Sequence, residues 1–480
     1  MNTIYKFSGT LVIALLFSLL FACKKSFLEV TPKGKLIAQN VADYNLLLNN
    51  LELANMNVNA QVPMGDEIAA VETYFIGAKL KTQRLFRWDD VIYEPTENAE
   101  ELETPLKNIY TYNKIINEVP DAADGTAQEK LSIQAEALAG RAWTYFLLIN
   151  YFAKPYNPST AAADSGFPII VKADVTATKF SRASVQEVYD FILNDLNKAM
   201  PNLPARTSHR LRMSKAAAEG LLAKVYMFMG KFDTALPHLN TAISALSSAD
   251  IPVRLYNYNV TLAPGGKFMP IGLFGPSYPY FANIEESVYG KQAYNFWTFS
   301  ASELVITKKA ADLYDASDLR LKFFSKAAYF GPDYPNGLLR KVGPSNLQFG
   351  VVVPDLYLLR AECKARLNDL PGAKADVETL RENRMPAAQS SVPLVIASQS
   401  LPLLKFILDE RVREFAVAGY RWFDMRRLSV DPLFKKDTYT HSLYSATGTV
   451  VSTFSLNPER LVLRLPQKLM DENPGTQNNP

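Results

Sequence analysis

The chain has 480 residues, 48% hydrophobic and 21% charged, the balance of an ordinary folded globular protein. Its 51 basic and 48 acidic residues leave a net charge of +3 with no long basic run, which removes the electrostatic footprint of a nucleic-acid binder. Three scattered histidines and two cysteines give no His/Cys metal centre, and no cofactor is expected; composition leaves only a carboxylate calcium site open.

At the N-terminus Lys6 precedes the apolar run LVIALLFSLLFA (Leu11 to Ala22), too short to span a bilayer comfortably. The text LFAC then ends at Cys23, the order of a bacterial lipobox. Residues 1–22 therefore read as a leader and Cys23 as the acylated first residue of the mature chain. Each acyl methylene buried in a membrane contributes about 0.8 kcal/mol, so two or three chains on one cysteine anchor firmly. The other cysteine, Cys363, falls in an apolar helical pattern and reads as an inert core residue, with no disulfide expected.

Helical spacing of apolar residues begins at about 39–54, with DYNLLLNNLELA, and an irregular stretch follows at about 58–103. A second helical region, about 104–153, runs through LKNIYTYNKIINEV and AQEKLSIQAEALAGRAWTYFLLINYFA until Lys154-Pro155 stops it. A third, about 184–247, opens on a capping box, Ser184 with Glu187 three residues on. Within it Leu222, Ala223, Tyr226, Gly230, Phe232, Ala235, Leu239 and Ala242 fall at the offsets of a tetratricopeptide repeat. Small Ala223 and Ala235 allow two antiparallel helices to approach, and Gly230 allows the turn between them. The segment of about 249–352 is rich in Pro, Gly and Tyr and reads as a second irregular insert, a texture more often functional than decorative at that length. A weaker repeat copy follows at about 353–384, using Tyr357, Ala361, Leu370, Ala373, Val377 and Leu380, then a last helical region at about 403–428. Such pairs bury their apolar faces by stacking on neighbours. The expected fold is mainly α, a tetratricopeptide-like superhelix of helix pairs forming one domain, 23–480, with long irregular loop inserts.

The stretch ILDERVREFAVAGYRWFDMRRL interleaves acids and arginines. Glu410 and Glu414 share a helix face, as the paired carboxylates of a glycoside hydrolase could. Catalysis needs one of the two pKa values raised, whereas surrounding arginines hold both acids ionised. Glu410, Arg411, Glu414, Arg421 and Asp424 are accordingly assigned to a structural lattice, with Arg421 and Asp424 at helix-neighbour spacing. No GxSxG, HExxH, P-loop or zinc spacing occurs, so no catalytic residue is assigned and no enzyme is expected.

In order along the chain, CKKSFLEVTPKG, AEALAGRAWTYFLLINYFAKPYN, SRASVQEVYDFILNDLNKAMPNLP, the helix pair at Lys215 to Ile243, LYLLRAECKARL, DERVREFAVAGYRWFDMRRL and LPQKLMDENPGTQNNP resemble the SusD/RagB family. These are outer-membrane nutrient-binding lipoproteins that pair with SusC-type TonB-dependent transporters. The resemblance runs from Cys23 to the last residue, with Ala418 standing where the family commonly has Glu. It implies a SusD-like fold and a non-enzymatic lipoprotein, anchored in the outer membrane through Cys23 and facing the cell exterior. Such a protein captures an oligosaccharide or glycan and delivers it to a SusC-like transporter. In the RagB-like alternative the nutrient is a peptide.

Ligand candidates are aromatics in irregular, polar company. Trp88, between Arg87 and Asp89, comes first; Tyr278, Tyr280 and Phe281, among Pro and Gly, come next, then Asn295 and Trp297. A sugar ring offers an apolar C–H face to an aromatic plane, while its hydroxyls need polar partners, for which Arg87, Asp66 and Asn295 are candidates. Isolated carboxylates such as Asp66, Glu67 and Asp90 are the only raw material for a hydrolase hidden in the irregular segments.

Overall fold

The computed structural model of the chain describes residues 38–480, apart from 177–179, 273–274, 436 and the side chain of Phe281. The leader 1–22 and the expected anchor Cys23 lie outside the described residues. Among the described residues, eleven helices of eight or more residues carry the architecture. They begin with α1 (Val41–Leu48), α2 (Leu80–Arg87), α3 (Glu100–Glu118), α4 (Ala127–Phe152) and α5 (Val185–Ala199). Then come α6 (Lys215–Phe228), α7 (Phe232–Ser244), α8 (Val353–Arg366), α9 (Leu370–Glu382), α10 (Ser400–Phe415) and α11 (Tyr420–Ser429).

Consecutive helices pack as pairs, α3 on α4, α4 on α5, α6 on α7 and α8 on α9, while α8 also lies against α7 and α10. Local chemistry starts these helices where the sequence indicates. Thr126 and Ser184 each accept a hydrogen bond from the backbone three residues on, and Glu129 and Glu187 return it, a cap worth about 1 kcal/mol. Ala223 and Ala235 are wholly buried between helices. A Cβ on Gly220 would lie 2.8 Å from Val351 and 2.9 Å from Leu356, so α6 and α8 approach by way of a missing side chain. Gly230 takes the left-handed turn between α6 and α7, at φ +73°.

The inserts are more ordered than their texture predicts. Strands β1 (Ile68–Val71), β2 (Leu304–Ile306), β3 (Thr440–Tyr444) and β4 (Val450–Ser455) form one sheet in the order β4-β3-β1-β2. Within it β1 runs antiparallel to β2, Ile68 opposite Ile306, and parallel to β3, Ala70 opposite Leu443. The first insert, the second insert and the C-terminal hairpin therefore meet in a single sheet. One contiguous core joins Leu148 of α4, Leu221 of α6 and Leu358 of α8 to Ile68 and Trp88 of the first insert and Trp297 of the second. Among the described residues no helix is long and apolar enough to cross a membrane.

Candidate functional site

The charged α10–α11 stretch is almost wholly buried. Glu410 has no exposed surface and accepts hydrogen bonds from Arg320 (2.7 Å), Arg381 (2.9 Å) and Arg413 (2.8 Å). Burial would raise its pKa, but the Arg413, Arg320 and Arg381 guanidiniums hold it far below the usual carboxylate range. Glu414 accepts from Arg384 at 2.7 Å and Arg320 at 3.0 Å. Arg411 joins Asp424 to Asp355, both at 2.7 Å, and Arg427 bridges Asp424 to Glu362. Arg421 departs from the expected spacing: it turns away from Asp424 and grips Asp66 of the first insert, Nη2 to Oδ2 at 3.1 Å. Asp66 is thus taken up by the scaffold and is not free to orient a ligand.

Glu286 and Glu414 form a buried pair of carboxylates. Burial raises the first, with Arg384 opposing; the second is held low by Arg384 and Arg320 against its burial. Arg384 Nη2 stands between them, 2.7 Å from each. They line a cavity of about 110 Å³, smaller than the roughly 300 Å³ at which ligand pockets begin. Among the described residues no group of three or more His, Cys, Asp or Glu side chains is placed to hold a metal ion.

The structure moves most predicted ligand aromatics into the interior. Trp88 ends α2 in the left-handed conformation, φ +53°, and is only 5% exposed. Its ring lies on the His441 imidazole at 3.8 Å, His441 lies on Phe86 at 4.5 Å, and Trp88 Nε1 donates to the Met64 carbonyl. This three-ring stack welds α2 to strand β3, so Trp88 is a core residue. Arg87 is engaged by Asp89 at 2.7 Å. Tyr278 joins a satellite aromatic cluster, 4.9 Å from Phe268 and 5.7 Å from Tyr256. Tyr280 is exposed. The side chain of Phe281 lies outside the described residues. Asn295 is buried and donates from Nδ2 to the Val417 carbonyl at 2.8 Å, while its Oδ1 accepts from the Trp297 backbone N–H.

What Asn295 and Trp297 do is present their neighbours. The strand Gln292–Tyr294 pairs with Asn346–Gln348, the chain turns at 296–297 just beyond it, and exposure alternates from residue 294 to residue 297. Asn295 and Trp297 point inward; Tyr294 and Phe296 point out, 48% and 50% exposed, their rings edge to face at 5.0 Å. They face a cleft of about 610 Å³ between this segment, α2 and the loop leading to α3. Trp297 forms part of its lining, whereas Trp88, Arg87, Asp66, Tyr278, Tyr280 and Asn295 do not. Polar groups ring it: Asn59, Thr298, Ser300, Glu97 and Glu303. Most charges there are already paired, Arg84 with Glu94 at 2.8 Å and Lys81 with Glu100 and Glu101 at 3.3 and 3.1 Å, while Lys79 sits 5.2 Å above the Phe296 ring.

The cleft wall is held from behind. Val417 adopts φ +58°, a conformation costly for a β-branched residue. Its carbonyl accepts from Asn295, its N–H donates to Glu67 Oε1 at 3.4 Å, and the preceding Ala416 carbonyl accepts from Lys341. One turn between α10 and α11 thereby ties the arginine lattice to both inserts. Glu67 is wholly enclosed; burial and the Asp66 charge push its carboxyl up to about 8.

A family profile described as "Starch-binding associating with outer membrane" matches residues 26–227, and one described as "SusD family" matches residues 354–480. A SusD-like protein of Bacteroides ovatus is 28% identical over 240 residues, covering 47% of this chain and 40% of that relative, so the match spans well under two thirds of the relative's length. A solved SusD superfamily protein from Bacteroides thetaiotaomicron superposes with a TM-score of 0.70 at 18% identity, covering 92% of this chain and 100% of that one. A laminarin binding SusD-like protein gives 0.61 at 16% identity, with 92% and 99% covered. At such identities the structural likeness speaks for the fold: mainly α and tetratricopeptide-like. The fold and both matched segments agree that the chain belongs to the SusD/RagB family.

Proposed function

We propose that the protein is a non-enzymatic binding lipoprotein, anchored in the outer membrane through Cys23 and facing the cell exterior. It captures an oligosaccharide in the cleft between the inserts and passes it to a SusC-like TonB-dependent transporter. The observation that carries this reading is the outward-facing Tyr294/Phe296 pair in a cleft of about 610 Å³, within the roughly 300–1,000 Å³ range of small-molecule sites. Exposed rings contribute stacking area for sugar C–H faces, and the surrounding amide, hydroxyl and carboxylate groups can meet ring hydroxyls. Because most rim cations are already matched by acids, the site suits a neutral, hydroxyl-rich ligand better than a strongly charged one.

The test is calorimetric titration of the purified chain with laminarin, starch and xylan oligosaccharides and with a peptide library. Chromatography of the recovered ligands reports any turnover. Neutral glycan should bind unchanged, and Tyr294→Ala/Phe296→Ala should weaken it by about tenfold or more. Exclusive peptide binding would favour the RagB-like alternative, and shortened glycan products would favour a hydrolase. Equal affinity of the double variant would remove the cleft from consideration. Partnership is checked separately: detergent extracts containing the acylated protein should yield a TonB-dependent transporter on affinity capture.

A further inference from the structure

We propose a second aromatic subsite, formed by Tyr329 and Phe330 at the tip of the 326–334 hairpin, that takes further units of the oligosaccharide held in the cleft. The inference rests on the cleft reading above and extends it to a ligand of greater chain length.

Phe330 is 83% exposed, the most exposed large hydrophobic side chain among the described residues. It also stands at φ +52°, the left-handed region that side chains other than Asn and Asp seldom adopt. An exposed aromatic in a disfavoured conformation needs surroundings that enforce it, and the hairpin supplies them. Ala328 N–H donates to the Pro332 carbonyl, Gly331 N–H to the Ala328 carbonyl and Tyr334 N–H to the Lys326 carbonyl; Lys326 and Asp333 close the neck at 3.0 Å. Below the tip, Ala328 and Tyr334 are buried against Val71 of β1 and Val305 of β2. The hairpin is thus held at its neck by these bonds and at its base by burial.

It is also tied to the cleft wall. Ser300, Ala301 and Glu303 line the cleft, and Ser302 between them accepts from the Tyr329 N–H at 3.0 Å and the Tyr334 hydroxyl at 2.9 Å. Phe299, three residues past Phe296, lies 5.5 Å from Tyr329, whose ring meets Phe330 at 4.4 Å. Three residues of chain span at most about 11 Å, which limits how far Phe299, the ring in contact with Tyr329, lies from Phe296; on the proposal, one oligomer lying on Tyr294 and Phe296 continues onto the hairpin. Arg340 steadies this platform, its guanidinium 6.0 Å over the Tyr329 ring and bonded to the Ala327 and Phe299 carbonyls. The ligand chemistry is that of the cleft: successive sugar C–H faces laid on successive aromatic planes.

The experiment compares short and long members of the laminarin, starch and xylan oligosaccharide series on the wild-type chain, on Phe330→Ala, and on Phe330→Tyr. Phe330 is exposed, so the alanine variant keeps its fold, which circular dichroism verifies. Wild-type affinity should rise with oligomer length; Phe330→Ala should lose about three- to tenfold for the longest oligomer and nothing for the shortest; Phe330→Tyr should restore the loss. Length-independent wild-type affinity, or a length dependence that Phe330→Ala leaves intact, overturns the second subsite and leaves the cleft standing. Absence of binding to any length overturns the cleft reading and this one with it.

Discussion

Trp88 and Glu67 show how much of the first insert's chemistry is spent on holding itself in place. Trp88 fills a core position, stacked on His441 and bonded to Met64. Trp88→Ala should therefore destabilise the fold by about 3–5 kcal/mol in chemical denaturation, while glycan affinity of the folded fraction stays unchanged. Lost affinity at unchanged stability would return Trp88 to the ligand site. Glu67 keeps its proton up to about pH 8 in the folded chain but ionises near 4.5 when unfolded. A raised carboxyl stabilises fully below the unfolded value, and that contribution disappears as pH climbs through the folded one, at about 1.4 kcal/mol for each pH unit between the two. The melting temperature of the wild-type chain should thus fall between pH 4.5 and 8 more steeply than that of Glu67→Gln. Parallel curves would mean Glu67 does not titrate in this window. Neither role could be read locally. Glu410 and Arg413 were legible as partners because helix spacing brings them together. Arg421 meets Asp66 from 355 residues away, a separation that no local spacing encodes.

At the scale of elements, the segment 292–298 explains why the aromatic cleft was half legible. Local texture, aromatic and polar, marks the segment. Which of its side chains faces out depends on register, and a slip of one residue in an extended chain exchanges the two faces. Pairing of Ala293 with Leu347 and Tyr294 with Asn346 makes that choice, and those partners lie in a stretch that reads only as irregular. Asn295 and Trp297 lie just beyond that strand and are buried, and of the two only Trp297 lines the cleft. Asn295→Ala would leave the Val417 carbonyl buried without its donor, a penalty of about 1–3 kcal/mol. Because the tether positions Tyr294 and Phe296, glycan affinity should drop as well, although Asn295 does not line the cleft. Thermal melts and titrations on the same sample check this; a lower melting temperature with unaltered affinity would separate the tether from the site.

Across the whole molecule, the helix pairs were readable because their cues sit within a few turns of one another: caps at Thr126 and Ser184, small residues at Ala223 and Ala235, the turn at Gly230. The sheet was not. Its inner strand β1 is four residues, Ile68–Val71, all buried, and so shows no alternation of polar and apolar positions. The hairpin of β3 and β4 also passed unassigned, although its two strands pair with each other across a short loop. That arrangement has a bearing on how the protein is made. Synthesis proceeds from the N-terminus, so β1 emerges long before β3, its parallel neighbour from near the opposite end of the chain. Until the final hairpin arrives, β1 keeps one row of amides and carbonyls bare, an adhesive margin that invites pairing with other chains. Arrival of the final hairpin covers that margin, adding the last strands to a pair, β1 with β2, that already joins the two inserts.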